Sequence, residues 1–235
     1  MIETAAGALG RNLVPFGATA LVASLPNLIL SYLVPGDSAT RFDDSGSLAA
    51  LFLQLAVTLL VSQIVTVTLV YGTLQTLRGR QVTVGDCLST GFGHFGAALG
   101  VALLSGVAVL AASMLFLVPG IILSVVWAVA IPAATIENAG VTGALGRSAD
   151  LTRDRRWRVF GVLIVAHFLT IAAAWVLGLV VGVLKGLDLQ AFTIVDWVIN
   201  TFTDAFGACV VATLYYYLRR DKEGADINQI ASVFD

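Results

Sequence analysis

From Phe95 to Thr135 the chain carries no Asp, Glu, Lys, Arg or His. One bilayer crossing takes roughly 20 apolar residues over a hydrocarbon core of about 30 Å. The run is too long for one ordinary span and long enough for two. It therefore predicts two membrane helices joined by a turn. Pro119-Gly120 is the natural punctuation inside it, because a Pro-Gly pair favours a tight turn. Spans are expected over 95–118 and 120–135, the second short and kinked at Pro132.

The rest of the chain agrees. It is 58% hydrophobic and 12% charged, against about a quarter charged in soluble domains. Its mean hydropathy is +0.92. Further runs of spanning length cover 13–35, 48–71, 157–184 and 191–218. The expectation is an all-α polytopic transmembrane bundle of about six spans, one domain over 1–235. The opening MIETAAGALGRNLVPF, with Glu3 and Arg11 ahead of a full span, reads as a retained first helix. Residues 82–93 and 138–157 are expected as short interfacial helices on the cytoplasmic face. In the second, Ala144, Leu145, Ser148 and Leu151 recur at helical spacing, and its basic residues are free to turn toward phosphate.

Charge sets the orientation. Eleven of the thirteen Lys and Arg residues fall on the side of the N-terminus; only Arg41 and Lys185 fall opposite. Short loops rich in Lys and Arg stay in the cytoplasm. Both termini are therefore expected there, in a multi-pass protein of a bacterial cytoplasmic membrane. Acidic Asp37, Asp43, Asp44 and Asp188 fall on the outer side, and Trp157 and Tyr215-Tyr216-Tyr217 sit where interfacial anchors belong. A net charge of −2 gives no support for nucleic acid as a partner. Cys87 and Cys209 read as two unpaired thiols.

Polar residues inside spans nominate a site. Span two carries Gln54, Thr58, Ser62 and Thr66 on one face, with Gln63 beside them, and span one carries Ser24, Asn27 and Ser31. Span six carries Asp196, Asn200 and Asp204; span five carries His167 and Thr170. An ionisable group at mid-bilayer is costly and turns toward protein or water. Asp204 and His167 are accordingly expected to face the bundle interior. Asn27, Gln63, Glu137, His167 and Asp204 form the candidate polar cavity. The competing reading is hydrogen bonding within and between helices. Glu137 either accepts from the segment after it or pairs with Arg147. Arg147, Arg153, Arg155, Arg156 and Arg158 are the candidate contacts for anionic lipid headgroups. No metal site, cofactor motif or catalytic constellation emerges from the spacing.

Three stretches carry a family resemblance: LVPGIILSVVWAVAIPAATIENAG (117–140), ALGRSADLTRDRRWRVFG (144–161) and YYYLRRDKEG (215–224). The positions concerned are Pro119, Gly120, Pro132, Glu137, Ala144, Leu145, Arg147, Ser148, Leu151, Thr152 and Trp157. In this pattern the chain resembles the membrane domain of bacterial glycerophosphoryl diester phosphodiesterases, as a stand-alone membrane protein. The likeness runs from about residue 80 onward, and more loosely over the first two spans. It implies a multi-span helical fold. It does not imply phosphodiester hydrolysis, which in the fused proteins belongs to a separate barrel domain. Together these readings favour a non-enzymatic membrane module that scaffolds a membrane-protein partner or second copy, organises lipid or maintains the envelope. The alternatives are a small-solute or lipid transporter with a polar path, and an intramembrane lipid-processing enzyme.

The charge count makes a direct prediction. A green fluorescent protein fused after Asp235 should fluoresce, and alkaline phosphatase at the same point should be inactive. The opposite pair of results would invert the topology.

Overall fold

The computed structural model describes residues 13–33, 45–77, 83–137, 139–183 and 189–224. Arg11, Arg41, Arg78, Arg80, Lys185, Asp37, Asp43, Asp44 and Asp188, used above for orientation, lie outside them. All regular structure among the described residues is helical: α1 (Leu13–Leu33), α2 (Ser45–Leu77), α3 (Val84–Leu115), α4 (Leu117–Val126), α5 (Ala130–Glu137), α6 (Gly140–Thr152), α7 (Arg156–Val183) and α8 (Leu189–Glu223). Six stretches among them are long and apolar enough to cross a membrane, with α4 and α5 together making one (Leu117–Glu137). The chain is a membrane-embedded all-α bundle.

Two expected boundaries move. Residues 84–93 are not a separate interfacial helix but the first turns of α3, capped by the Thr83 hydroxyl, which accepts from the Asp86 amide at 3.3 Å. The turn inside the long apolar run falls at Phe116, in extended conformation at φ −155° and ψ 143°, not at Pro119-Gly120. Pro119 is the third residue of α4. The first four amides of a helix have no intrahelical acceptor, so a proline there sacrifices nothing. Gly120 serves the hairpin differently. A Cβ on it would lie 1.9 Å from Ser113 Oγ and 2.9 Å from Ser113 Cβ. Its absence lets α4 fold back tightly on α3.

Two apolar clusters hold the bundle. In one, Phe16 of α1 meets Val61, Val65 and Leu69 of α2 and the small residues Ala205, Ala208 and Cys209 of α8. Small side chains allow helices in a membrane to approach closely. In the other, Val70, Val101, Val125, Ala130, Ala144, Val159 and Tyr215 bring seven helices, α2 to α8, together. Helix α7 is the least embedded. Among the described residues its buried side chains are Val159 and Ala166, while Phe168 and Trp175 are 68% and 71% exposed and form an apolar outer face. Both cysteines are buried free thiols, and Cys209 Sγ accepts from Thr73 Oγ1 at 3.3 Å.

Gly120→Ala should lower stability by about 1–3 kcal/mol, the usual cost of overpacking. Adding Ser113→Gly should restore most of it, read as the midpoint of thermal aggregation in detergent. No loss in the single variant would show that the hairpin has slack at this contact.

Candidate functional site: the interrupted helix and its basic elbow

Pro132 lies within a span, where a proline clashes with the carbonyl four residues back and cannot donate. The chain resolves this by leaving the helix at Trp127–Val129 and restarting at Ala130, so Pro132 falls in the first turn of α5. The interruption opens backbone groups at Val126 and Val129. Such groups are costly in a bilayer unless protein satisfies them. Helix α6 does so. The Ser148 hydroxyl donates to the Val126 carbonyl at 2.8 Å and accepts the Val129 amide at 3.3 Å. Thr152 Oγ1 lies 3.2 Å from the Val126 carbonyl and 2.9 Å from the Ser148 carbonyl, its one proton shared between them. Ser148 is fully buried with Ala144 and Leu151, all three on the helical line read from sequence, and Thr152 is fully buried beside them.

The start of α6 is fitted as closely. Gly140 has φ +66°, a conformation glycine adopts without a Cβ clash. Gly100 of α3 lies against Val141, and a Cβ there would come within 2.6 Å of Val141 Cγ2.

A polar network ties α5, α6 and α8 together on this side. Glu137 accepts from Arg147 Nε through both oxygens, at 2.9 and 2.8 Å, and from the Tyr215 hydroxyl at 2.7 Å. Arg147 also pairs with Glu223. Arg219 donates to Glu223 at 2.9 Å and to the Tyr215 hydroxyl at 3.2 Å, and lies 3.8 Å from Glu137. Two guanidinium groups are thus balanced by two carboxylates. Partial burial works against the Arg147 charge, but its hydrogen bonds to Glu137 and Glu223 more than offset this and raise its pKa above the ordinary value. Of the two roles expected for Glu137, the structure has the Arg147 pair.

The five arginines proposed as lipid contacts therefore separate. Arg147 is held in the network. Arg155 and Arg158 both pair with Asp221 of α8, Arg158 at 3.3 Å. Arg153 and Arg156 are exposed and, among the described residues, have no carboxylate within ion-pair distance. Lys222 adds a tie between α8 and the Asp150 carbonyl of α6.

The five residues of the expected polar cavity lie in different settings. Glu137 belongs to the network above. Gln63 is buried, donating to Ser62 Oγ at 3.2 Å; its Oε1, like Asn27 Oδ1, is buried with no hydrogen-bond partner among the described residues. His167 and Asp204 are exposed on the outside of the bundle, contrary to the expectation that they face its interior. The helical period explains this. Val159, Val162, Leu163 and Ala166 direct one side of α7 inward, and His167 sits one residue, about 100°, past that line. On α8, Thr201, Ala205, Ala208 and Ala212 are buried, and Asp204 is at the edge of that side, in line with exposed Asn200 and Asp196. The hydroxyls of Ser31, Ser62, Thr66 and Thr170 donate to carbonyls three or four residues back. The competing reading of the polar stripes as local hydrogen bonding describes these four residues.

Sequence reasoning did not pick out Tyr215, Asp221 or Glu223 as partners of the basic residues. The signals were present: Tyr215, Arg219 and Glu223 are spaced by four, as are Ser148 and Thr152 on an otherwise apolar helix side. Among the described residues no three His, Cys, Asp or Glu side chains converge as metal ligands. No family model, curated protein or solved structure matches the chain.

Ser148→Ala should cost roughly 1–3 kcal/mol, because it strands the buried Val129 amide and removes the closer of two hydroxyl donors to the Val126 carbonyl. Thr152→Val should cost less, since Ser148 still serves the Val126 carbonyl. Thermal denaturation in a fixed detergent compares them; equal losses would contradict the assigned division of labour.

Proposed function

We propose that the chain is a non-enzymatic membrane module whose α6 elbow and α8 end form a rigid platform at one membrane face. The platform scaffolds a neighbouring membrane protein or organises lipid. The observation that carries this reading is the use made of the polar groups. Ser148 and Thr152 are committed to the interrupted helix, and Glu137, Arg147, Tyr215, Arg219 and Glu223 to one another. These are bracing roles. They leave a fixed basic surface and not a set of side chains poised for bond making.

The likeness to the membrane domain of glycerophosphoryl diester phosphodiesterases belongs to the same proposal. It is supported by the positions that carry it. Ala144, Leu145, Ser148, Leu151 and Thr152 are the buried side of α6, and Pro132 and Glu137 are the break and its anchor. Such a pattern marks a structural device. The excess of Lys and Arg around α6 and the end of α8 supports placing this face, and both termini, in the cytoplasm of a bacterial cell.

One observation favours a carrier instead. An interrupted span is a feature of transporters, where the break lines a substrate site. Here the opened groups bind Ser148 and Thr152, which favours the scaffold. Flux through proteoliposomes separates the two. The scaffold reading predicts no uptake of labelled amino acids, sugars, glycerophosphodiesters or inorganic ions above empty vesicles, and no headgroup release from phospholipid. Uptake of any of these solutes above empty vesicles would establish the carrier.

A further inference from the structure

Arg153 and Arg156 adjoin an apolar groove. Val118, Ile121, Ile122 and Val125 of α4 form one wall, and Trp157 and Phe160 of α7 the other, enclosing about 560 Å³. The two rings meet edge to face, with centroids 5.9 Å apart and planes at 79°, which sets the second wall. A second pocket of about 600 Å³ is lined by Arg153, Asp154, Arg155, Arg156, Trp157 and Arg158. Arg156 and Trp157 line both. A mainly apolar space and a strongly basic one are therefore continuous through two side chains.

We infer that this paired cleft is a binding site for one anionic phospholipid of the surrounding bilayer. The phosphate is held by Arg153 and Arg156, and one acyl chain lies along the α4–α7 groove. The charge pattern argues for this occupant. Asp221 gives Arg155 and Arg158 one negative charge to share from the α8 side, while Arg153 and Arg156 beside the groove have no carboxylate within ion-pair distance among the described residues, so net positive charge remains at the basic pocket. A zwitterionic headgroup gains less from that field than an anionic one, since each basic group near a membrane surface favours anionic lipid. A soluble anion fills the basic pocket but leaves the apolar walls, including Trp157 at 83% exposure, without a partner. An indole beside guanidinium groups is the arrangement found where a chain meets the headgroup layer.

This site deepens the lipid-organising half of the proposed function and is independent of whether a protein partner also docks. The test uses the full chain in detergent, delipidated and then exposed to equimolar dioleoylphosphatidylcholine and dioleoylphosphatidylglycerol. Bound lipid is quantified by headgroup after re-isolation. Enrichment of phosphatidylglycerol on the order of tenfold is expected, falling to near parity in Arg153→Gln/Arg156→Gln. Asp221→Asn, which releases Arg155 and Arg158, should increase the enrichment. A second measurement does not depend on delipidation. With Trp127, Trp175 and Trp197 changed to Phe, acyl-brominated phosphatidylglycerol should quench Trp157 more than acyl-brominated phosphatidylcholine at equal mole fraction. Equal binding and quenching by the two lipids, or a preference that survives the double substitution, would overturn the site. That outcome leaves the flux test of the scaffold reading untouched, just as solute uptake would leave this lipid site standing.

Discussion

The structure depends on one exchange of hydrogen bonds. A proline inside a membrane span forces the backbone open, and a hydroxyl from another helix closes it. Ser148 both donates to and accepts from the opened segment, at Val126 and Val129. The side chain doing this must stand beside the break, so α6 cannot drift along the membrane surface. Its position follows from the break, and the break follows from Pro132 and the absence of an amide proton there.

Once α6 is placed, the basic surface is determined. Arg147 faces Glu137 at the end of α5, and Glu223 closes the network from α8. Immediately beyond α6 the chain turns through Asp154 at φ +66° into α7, bringing Arg155 of the turn and Arg158 of α7 to Asp221. Arg153 and Arg156 are left facing outward beside the α4–α7 groove. Isolated surface ion pairs contribute little to stability. Here several charges share partners around the buried Tyr215 hydroxyl, and the geometry they impose matters more than their separate strengths.

Much of this was legible in the residues. The uncharged run from Phe95 to Thr135 demanded two helices, and the amphipathic spacing of Ala144, Leu145, Ser148 and Leu151 gave α6 its buried side. Two things were not legible. The hairpin turn sits at Phe116 because a proline is tolerated in the first turn of a helix, so Pro119 marks a helix start as well as it marks a turn. The outward positions of His167 and Asp204 depend on which side of α7 and α8 packs inward. Small residues on the buried side of each helix, Ala166 on α7 and Ala205, Ala208 and Ala212 on α8, set that choice. The pairing of Arg155 and Arg158 with Asp221 needs the long-range approach of α8 to the α6–α7 junction, which no local spacing encodes.

The measurement that bears most directly on this account is hydrogen–deuterium exchange at the Val129 amide in the bilayer-reconstituted chain. That amide sits outside a regular helix and has Ser148 Oγ as its acceptor. If α6 closes the break, Val129 exchanges as slowly as the helical amides of α5, and Ser148→Ala accelerates it selectively. If Val129 exchanges rapidly in the native sequence, or slowly in both, the Ser148 bond is not what holds the interrupted span, and the placement of the basic surface needs another cause.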